Sequence, residues 1–325
     1  MPSAQQLLAL IKSHVRGDNE RFYSLALQLA ASEAKKGHSL VAEQLRDLLE
    51  QAKSPRPRIA ESHGPVPVPS VRTDLASLIS VAYPSIRLNH MVLREDLLGQ
   101  LKRIVYEQRQ RGKLSGHGLK PRRKILLMGP PGSGKTMTAG ALAGELGLPL
   151  LSVLLHGVIT KFMGETASKL RLVFDAMSEM RGVYLFDEID AIGTKRTKDN
   201  DVGEARRILN SFLQFMEQDQ SESLIVATTN HEELLDRALF RRFDVILRYD
   251  LPSPELAVSA IKGRLHGFDT SNVSWSEVAT AASGLSHAEI IGAAEDAARN
   301  AILDRGPEIR TGDLVASLKQ KRDRS

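Results

Sequence analysis

Hydrophobic positions in the second half of the chain alternate between short continuous apolar runs and longer stretches with helical spacing. The predicted strands are Ile125–Met128, Leu150–Leu154, Val183–Phe186, Leu224–Ala227 and Val245–Leu247. The stretches between them are long enough for crossover helices, which predicts a parallel five-stranded sheet between layers of helices. From about Ser253 onward the pattern is only helical, so a small helical domain is predicted to end the chain.

The first half of the chain shows helical spacing, interrupted by a proline-rich segment. Three helices are predicted over residues 3–15, 19–36 and 40–52. Five of the 14 prolines fall between Pro55 and Pro69, which predicts an extended, semi-rigid spacer. The predicted organisation is a helical adaptor domain over 1–52, a Pro-rich linker over 53–84, an α/β domain over 85–252 and a helical lid with a basic tail over 253–325.

Composition narrows the class of protein. The chain has no cysteine, which excludes disulfides, thiolate nucleophiles and cysteine-ligated metals. Hydrophobic residues make up 42% and charged residues 26%, as in ordinary globular proteins. The longest apolar runs are far shorter than the roughly 20 residues that cross a bilayer. We therefore expect a cytoplasmic protein without a membrane segment.

Positive charge is concentrated in one part of the chain. The isoelectric point is about 9.4. Residues 53–123 hold 14 basic and 5 acidic residues, a net charge of +9, whereas residues 124–318 hold 20 basic and 27 acidic residues, a net charge of −7. A basic segment can attract nucleic acid, but a solvated linker is the favoured interpretation.

A phosphate-binding loop follows the first strand of the α/β pattern. The segment fits G-x-x-x-x-G-K-[ST] and stands between a predicted strand and a helix-prone segment, as that motif requires. Glycines let the backbone amides point inward, Lys135 is suited to the β- and γ-phosphates, and Thr136 can offer its hydroxyl to Mg²⁺. The predicted nucleotide-binding residues are Gly129, Pro130, Pro131, Gly132, Ser133, Gly134, Lys135 and Thr136.

Two carboxylates follow the apolar run at Val183–Phe186. Asp187 is suited to hold Mg²⁺ through its water shell, and Glu188 is suited to orient and deprotonate an attacking water. A turn with two exposed acidic residues at the end of a strand is the alternative interpretation of Asp187 and Glu188. The phosphate loop upstream favours ATP and Mg²⁺ as the ligands.

These residues together resemble the AAA subfamily of P-loop ATPases. Asn230, at the end of the run 224–229, is similar to the sensor-1 residue of that family. The segment 235–244, LDRALFRRFD, is similar to its second region of homology, which makes Arg241 and Arg242 candidate arginine fingers. Many relatives separate the two arginines by Pro-Gly, and here they are adjacent, so either one can be the finger and the other a structural ion-pair partner.

Two further segments strengthen the resemblance. Lys161, Phe162, Met163 and Gly164 are similar to the pore loop that grips substrate in protein translocases, although Phe162 packed on the core would also explain the pattern. A second loop over 193–203 contains Lys195, Arg196 and Lys198. Its sequence is compatible with two predictions, a loop that faces the central channel and an ordinary solvated loop. The segment 284–289, GLSHAE, resembles the start of the family's lid helix.

The resemblance implies an α/β AAA module with a C-terminal lid, assembled into a hexameric ring that remodels a protein substrate through a central pore. The layout is also similar to small bacterial AAA ATPases paired with a subtilisin-like serine protease, so a separate protease or effector partner is expected. A built-in zinc protease is not, because Leu235 stands where H-E-x-x-H needs its second histidine. A nucleic-acid-coupled ATPase and a non-hydrolysing scaffold are the alternatives.

Overall fold

The computed structural model describes residues 73–158, 163–190, 201–235, 237–304 and 306–323. The three predicted N-terminal helices lie outside these ranges. No helix within them is both long enough and apolar enough to cross a membrane.

The α/β part holds six strands and eight α-helices among the described residues. The strands are β1 (Ile79–Ala82), β2 (Lys124–Met128), β3 (Leu150–Val153), β4 (Val183–Phe186), β5 (Leu224–Thr229) and β6 (Val245–Arg248). The helices are α1 (Thr73–Ala76), α2 (Glu95–Arg109), α3 (Arg111–Ser115), α4 (Lys135–Leu146), α5 (Leu155–Val158), α6 (Met163–Glu179), α7 (Asp201–Gln218) and α8 (Arg237–Phe240).

The sheet has the strand order β1-β3-β4-β5-β2-β6. β2 to β6 are parallel, and β2 lies between β5 and β6. The prediction of a five-stranded parallel sheet is therefore wrong in one respect: β1 pairs antiparallel with β3, with Ile79 opposite Val153. This strand lies within the segment 53–84 that the sequence assigned to the linker. It has only four residues and two of them are exposed, so it carries little apolar pattern.

Both faces of the sheet are covered, which explains the continuous apolar runs of its strands. Alternate residues of β2 point to opposite faces of the sheet and pack against different helices. Leu126 and Met128 pack with α6 and α7, where rings of Phe174, Phe186 and Phe212 lie 4.9–5.9 Å apart. Ile125 and Leu127 pack with α2 and α4 on the other face. The carboxyl end of β2 is thereby held between two neighbouring strands and two layers of helices.

Among its described residues the lid has four helices: α9 (Pro254–Arg264), α10 (Trp275–Ala282), α11 (His287–Asp304) and α12 (Thr311–Arg322). α9 begins as its sequence predicts, with Pro254 in the first turn and the Ser253 hydroxyl accepting the N–H of Leu256 at 3.3 Å. The lid has a separate core rich in alanine, including Ala293, Ala294 and Ala297. The helical pattern predicted after Ser253 is confirmed.

Candidate nucleotide site

The predicted phosphate loop connects β2 to α4 at the carboxyl edge of the sheet. Gly129, Gly132 and Gly134 have φ angles of 145°, 72° and 97°, which other residues rarely adopt. A Cβ on Gly129 would lie 2.2 Å from the carbonyl oxygen of Tyr249. The loop therefore needs glycine at this position both for its backbone angle and for its close approach to the strand end of β6.

Lys135 is the first residue of α4, and it points back into the loop. Its Nζ donates to the carbonyl oxygens of Gly129 and Pro130, each at 2.8 Å, and only 6% of the residue is exposed. Burial lowers the pKa of Lys135, and the nearby Asp187, Asp190 and Glu188 act in the opposite direction. The loop thus holds a buried cation where phosphate oxygens would be bound.

Thr136 and Asp187 lie together at the start of α4 and the end of β4. The Thr136 hydroxyl is 3.0 and 3.1 Å from the two carboxylate oxygens of Asp187. Oxygen groups of this kind suit Mg²⁺, which usually takes one or two protein ligands and completes its shell with phosphates and water. Mg²⁺ bound there would neutralise charge on the phosphates.

Glu188 and Asn230, predicted from separate motifs, are in contact. The Asn230 side-chain amide donates to Oε1 of Glu188 at 3.2 Å, and the Asn230 backbone N–H donates to Asp190 at 3.3 Å. Glu188 has a φ of 54°, which only a few per cent of non-glycine residues share. An acid and an amide are thus held side by side next to the phosphate loop, the arrangement needed to orient a water.

The contacts that Thr228 and Ala288 make with the site were not predicted from the sequence. The Thr228 hydroxyl contacts both acidic residues after β4: it donates to Asp187 and accepts the N–H of Glu188. The backbone N–H of Ala288, in α11, donates to the carbonyl oxygen of Gly132 at 3.0 Å. In the sequence, only the position of Thr228 two residues before Asn230, on the same face of the strand, could have indicated its role.

His287, beside Ala288, has both ring nitrogens buried without a well-formed hydrogen bond to a described residue. The imidazole lies near the backbone of Val92. Burial lowers the pKa of His287. The imidazole is thus packed between the lid and the segment that precedes α2.

Arg241 and Arg242 lie at the opposite edge of the sheet. They line an open pocket of about 490 Å³ together with Glu217 and Lys124, the first residue of β2. The phosphate loop follows the last residue of the same strand, and a five-residue strand spans roughly 13 Å. Arg242 is ion-paired with Glu217, whereas the exposed Arg241 has no ion pair with another described residue. Neither arginine is brought to the phosphate loop of its own chain.

The predicted pore loop is only partly described. Lys161 and Phe162 lie outside the described residues, and so does most of the second loop, residues 193–200. Met163 and Gly164 form the start of α6. The proposed contact of Phe162 with substrate therefore stays a prediction.

A phosphate loop after an inner parallel strand, with two carboxylates after a second strand, is the arrangement expected of a P-loop ATPase. The family model described as "ATPase family associated with various cellular activities (AAA)" matches residues 125–251. An uncharacterised AAA family ATPase, y4kL, of Sinorhizobium fredii is 33% identical over 310 residues, which cover 94% of this chain and 92% of that protein. The chain belongs to the AAA family, and it binds and hydrolyses ATP.

Other relatives match over part of their length. The ATP-dependent zinc metalloprotease FtsH of Helicobacter pylori is 33% identical over 75% of this chain and 40% of that protein. The proteasome-activating nucleotidase of Methanoregula boonei is 32% identical over 63% of this chain and 49% of that protein. The crystal structure of the FIGL-1 AAA domain matches with a TM-score of 0.61 at 22% identity, covering 76% of this chain and 89% of that one. This last similarity shows the shared fold.

Proposed function

We propose that this AAA ATPase works as a head-to-tail hexameric ring that uses ATP hydrolysis to remodel a protein substrate through a central pore. The observation that carries the proposal is the position of Arg241 and Arg242 at the edge of the sheet opposite the phosphate loop. Such residues can contact a nucleotide only in a neighbouring copy. Repetition of one head-to-tail contact closes a ring when the rotation allows it.

The different ion-pair partners of Arg241 and Arg242 indicate different roles for the two arginines. Arg242 is ion-paired with Glu217 of the same chain, and this pair anchors the turn between α8 and β6 to the end of α7. Arg241 is exposed and ion-paired with no other described residue. We assign Arg241 as the finger that reaches the neighbour's γ-phosphate, and Arg242 as the residue that holds the turn. A guanidinium supplied in this way stabilises charge in the transition state.

A protein substrate is supported by the relatives whose names refer to proteolysis, FtsH and the proteasome-activating nucleotidase. This chain spans 40% and 49% of those two proteins, and Leu235 interrupts the one sequence that begins like a zinc-protease motif. We propose that any cleavage of the substrate is performed by a separate protease or effector, and that Phe162 grips the substrate in the pore.

The alternative, a nucleic-acid-coupled ATPase, is disfavoured by the ion pairs of the basic segment. Several arginines of this segment are paired with acidic residues of the α/β part. Arg94, just before α2, pairs with Asp250; Arg109, at the end of α2, pairs with Glu145; and Arg111, in α3, pairs with Glu222. Their charge is already compensated within the chain. Addition of DNA or RNA at low salt should therefore leave the ATPase rate unchanged, whereas stimulation would support the alternative.

Subunit mixing tests the trans arrangement. Lys135→Ala and Arg241→Ala should each abolish ATPase activity alone, because one lacks the phosphate contact and the other lacks the finger. In mixed rings, a Lys135→Ala subunit can still supply Arg241 to a neighbour with an intact loop, so activity should partly return. A mixture of Lys135→Ala with Glu188→Gln is the control, and it should stay inactive since both defects lie in the same site. No recovery in the first mixture would refute the proposed ring.

The substrate part of the proposal needs a separate experiment. Glu188→Gln with ATP should hold substrate in a stalled ring, and proteins retained by it can be identified by mass spectrometry. Adding Phe162→Ala to that variant should abolish the retention, whereas adding Tyr83→Ala, which removes an aromatic ring that is 59% exposed after β1, should not. Equal retention with and without Phe162 would contradict the pore contact.

A further inference from the structure

Thr228 binds three consecutive residues at the end of the neighbouring strand. Its hydroxyl donates to Oδ1 of Asp187 at 2.5 Å and accepts the backbone N–H of Glu188 at 2.9 Å. Its carbonyl oxygen accepts the backbone N–H of Ile189, also at 2.9 Å. Thr228 is 1% exposed, so no solvent replaces these bonds. One buried residue of β5 thus fixes the path of the chain through both acidic residues.

The backbone at Glu188 needs such support. Its φ of 54° lies in the left-handed region, which is unfavourable for a residue that carries a Cβ. Strained conformations persist only where surrounding contacts determine them. The Thr228 hydroxyl holds the Glu188 backbone, and the Asn230 amide holds its carboxylate at 3.2 Å. The two contacts come from Thr228 in β5 and from Asn230, the residue directly after the strand.

We propose that Thr228 is a positioning residue for ATP hydrolysis, acting through Asp187 and Glu188. The inference rests on the proposed role of Glu188, which takes a proton from the water that attacks the γ-phosphorus while the bond to the β-γ bridging oxygen breaks and ADP leaves. Loss of the Thr228 hydroxyl would let Glu188 relax and would remove a donor from Asp187. Binding of ATP by the phosphate loop would be preserved, because the loop belongs to β2 and α4.

Thr229 provides a matched control on the same strand. It is also fully buried, and its hydroxyl accepts the backbone N–H of His231 at 3.0 Å. Because side chains alternate across a strand, Thr229 points away from the side that Thr228 and Asn230 share. Thr229→Val therefore removes a buried hydroxyl bond of the same kind without touching the two acidic residues.

The experiment compares Thr228→Val, Thr228→Ser and Thr229→Val in the full-length protein. Three quantities are measured: kcat and KM for ATP, the affinity for a fluorescent ATP analogue without Mg²⁺, and the melting temperature. Thr228→Val should lower kcat about ten- to a hundred-fold, since each lost interaction with a charged or strained group weakens the transition state. Nucleotide affinity should stay within about two-fold for this variant, because the loop is intact. Thr228→Ser and Thr229→Val should keep kcat within about three-fold of wild type.

Two results would overturn the proposal: an equal loss of kcat in Thr228→Val and Thr229→Val, or a loss of nucleotide affinity that matches the loss of kcat. If Thr228→Val does not fold, Thr228→Ala removes the same hydroxyl with less crowding and carries the same expectations. Glu188→Gln separates the two proposals. An active Glu188→Gln would refute the role of Glu188 itself, whereas an inactive Glu188→Gln beside a fully active Thr228→Val would refute only the role of Thr228.

Discussion

Asp219 forms a buried ion pair that ties the entries of two central strands together, and its removal should destabilise the fold strongly. Arg123 stands directly before β2, and its guanidinium binds both the carboxylate and the carbonyl oxygen of Asp219. The side chains are 13% and 2% exposed. The carboxylate also accepts the N–H and the hydroxyl of Ser221, each at 3.1 Å.

The magnitude follows from the burial of the pair. Asp219→Asn leaves the cation of Arg123 without a counter-charge in a site that water barely reaches, and removing one partner of such a pair costs about 3–5 kcal/mol. Domains are stable by about 5–15 kcal/mol in total, so this loss is large. At roughly 2–4 °C per kcal/mol, the melting temperature should fall by about 6–20 °C.

Chemical unfolding of the two variants Asp219→Asn and Glu222→Gln measures the difference. Glu222 pairs with Arg111 nearby, but these side chains are 64% and 39% exposed, so its loss should cost less than about 1 kcal/mol. High salt should weaken the effect of Glu222→Gln and leave that of Asp219→Asn almost unchanged. A cost for Asp219→Asn no larger than that for Glu222→Gln would refute the argument from burial.

Two further predictions concern the phosphate loop and the lid. Gly129→Ala should lower the affinity for a fluorescent ATP analogue about ten-fold or more, because the added Cβ would lie 2.2 Å from the Tyr249 carbonyl oxygen. The control is Gly263→Ala, which changes a helical glycine with nothing within 4 Å of its Cβ position. Equal affinities of the two variants would contradict the prediction. The second prediction uses His287, whose pKa is lowered by burial. The unfolded chain takes up a proton below about pH 6.5 while the buried imidazole stays neutral, so stability falls as pH falls. Unfolding curves at two pH values should show a larger loss for wild type than for His287→Gln, and equal losses would show that His287 does not contribute.

The strands were predictable wherever burial on both faces produced an uninterrupted apolar run. β4 has the predicted bounds, Val183–Phe186, and every residue in it is buried. β5 extends two residues beyond its predicted end at Ala227, because Thr228 and Thr229 continue the strand as buried, β-branched residues. β1 was missed since a four-residue edge strand with exposed positions leaves no such run.

The local motifs of the site were predictable, and their long-range contacts were not. The loop 129–136 and the pair Asp187–Glu188 are each short segments whose residue types follow from the chemistry of phosphate and Mg²⁺. The contact between Gly132 and Ala288 joins positions more than 150 residues apart in the sequence. Thr228 was overlooked because a threonine within an apolar strand is typical of β-structure. The role of its hydroxyl depends on the pairing of β5 with β4, which places Thr228 beside Asp187 and Glu188.

The separate core of the lid gives the molecule a mechanical property. No core residue of α9–α12 belongs to the cores on either side of the sheet, so the lid can shift relative to the α/β part while each part keeps its internal packing. The short segment 250–253, which contains Pro252, connects the lid to the α/β part directly after the buried Tyr249. The hydrogen bond from the Ala288 N–H to the Gly132 carbonyl oxygen joins the lid directly to the phosphate loop. A change of that loop between nucleotide states would therefore act directly on the helix that carries Ala288.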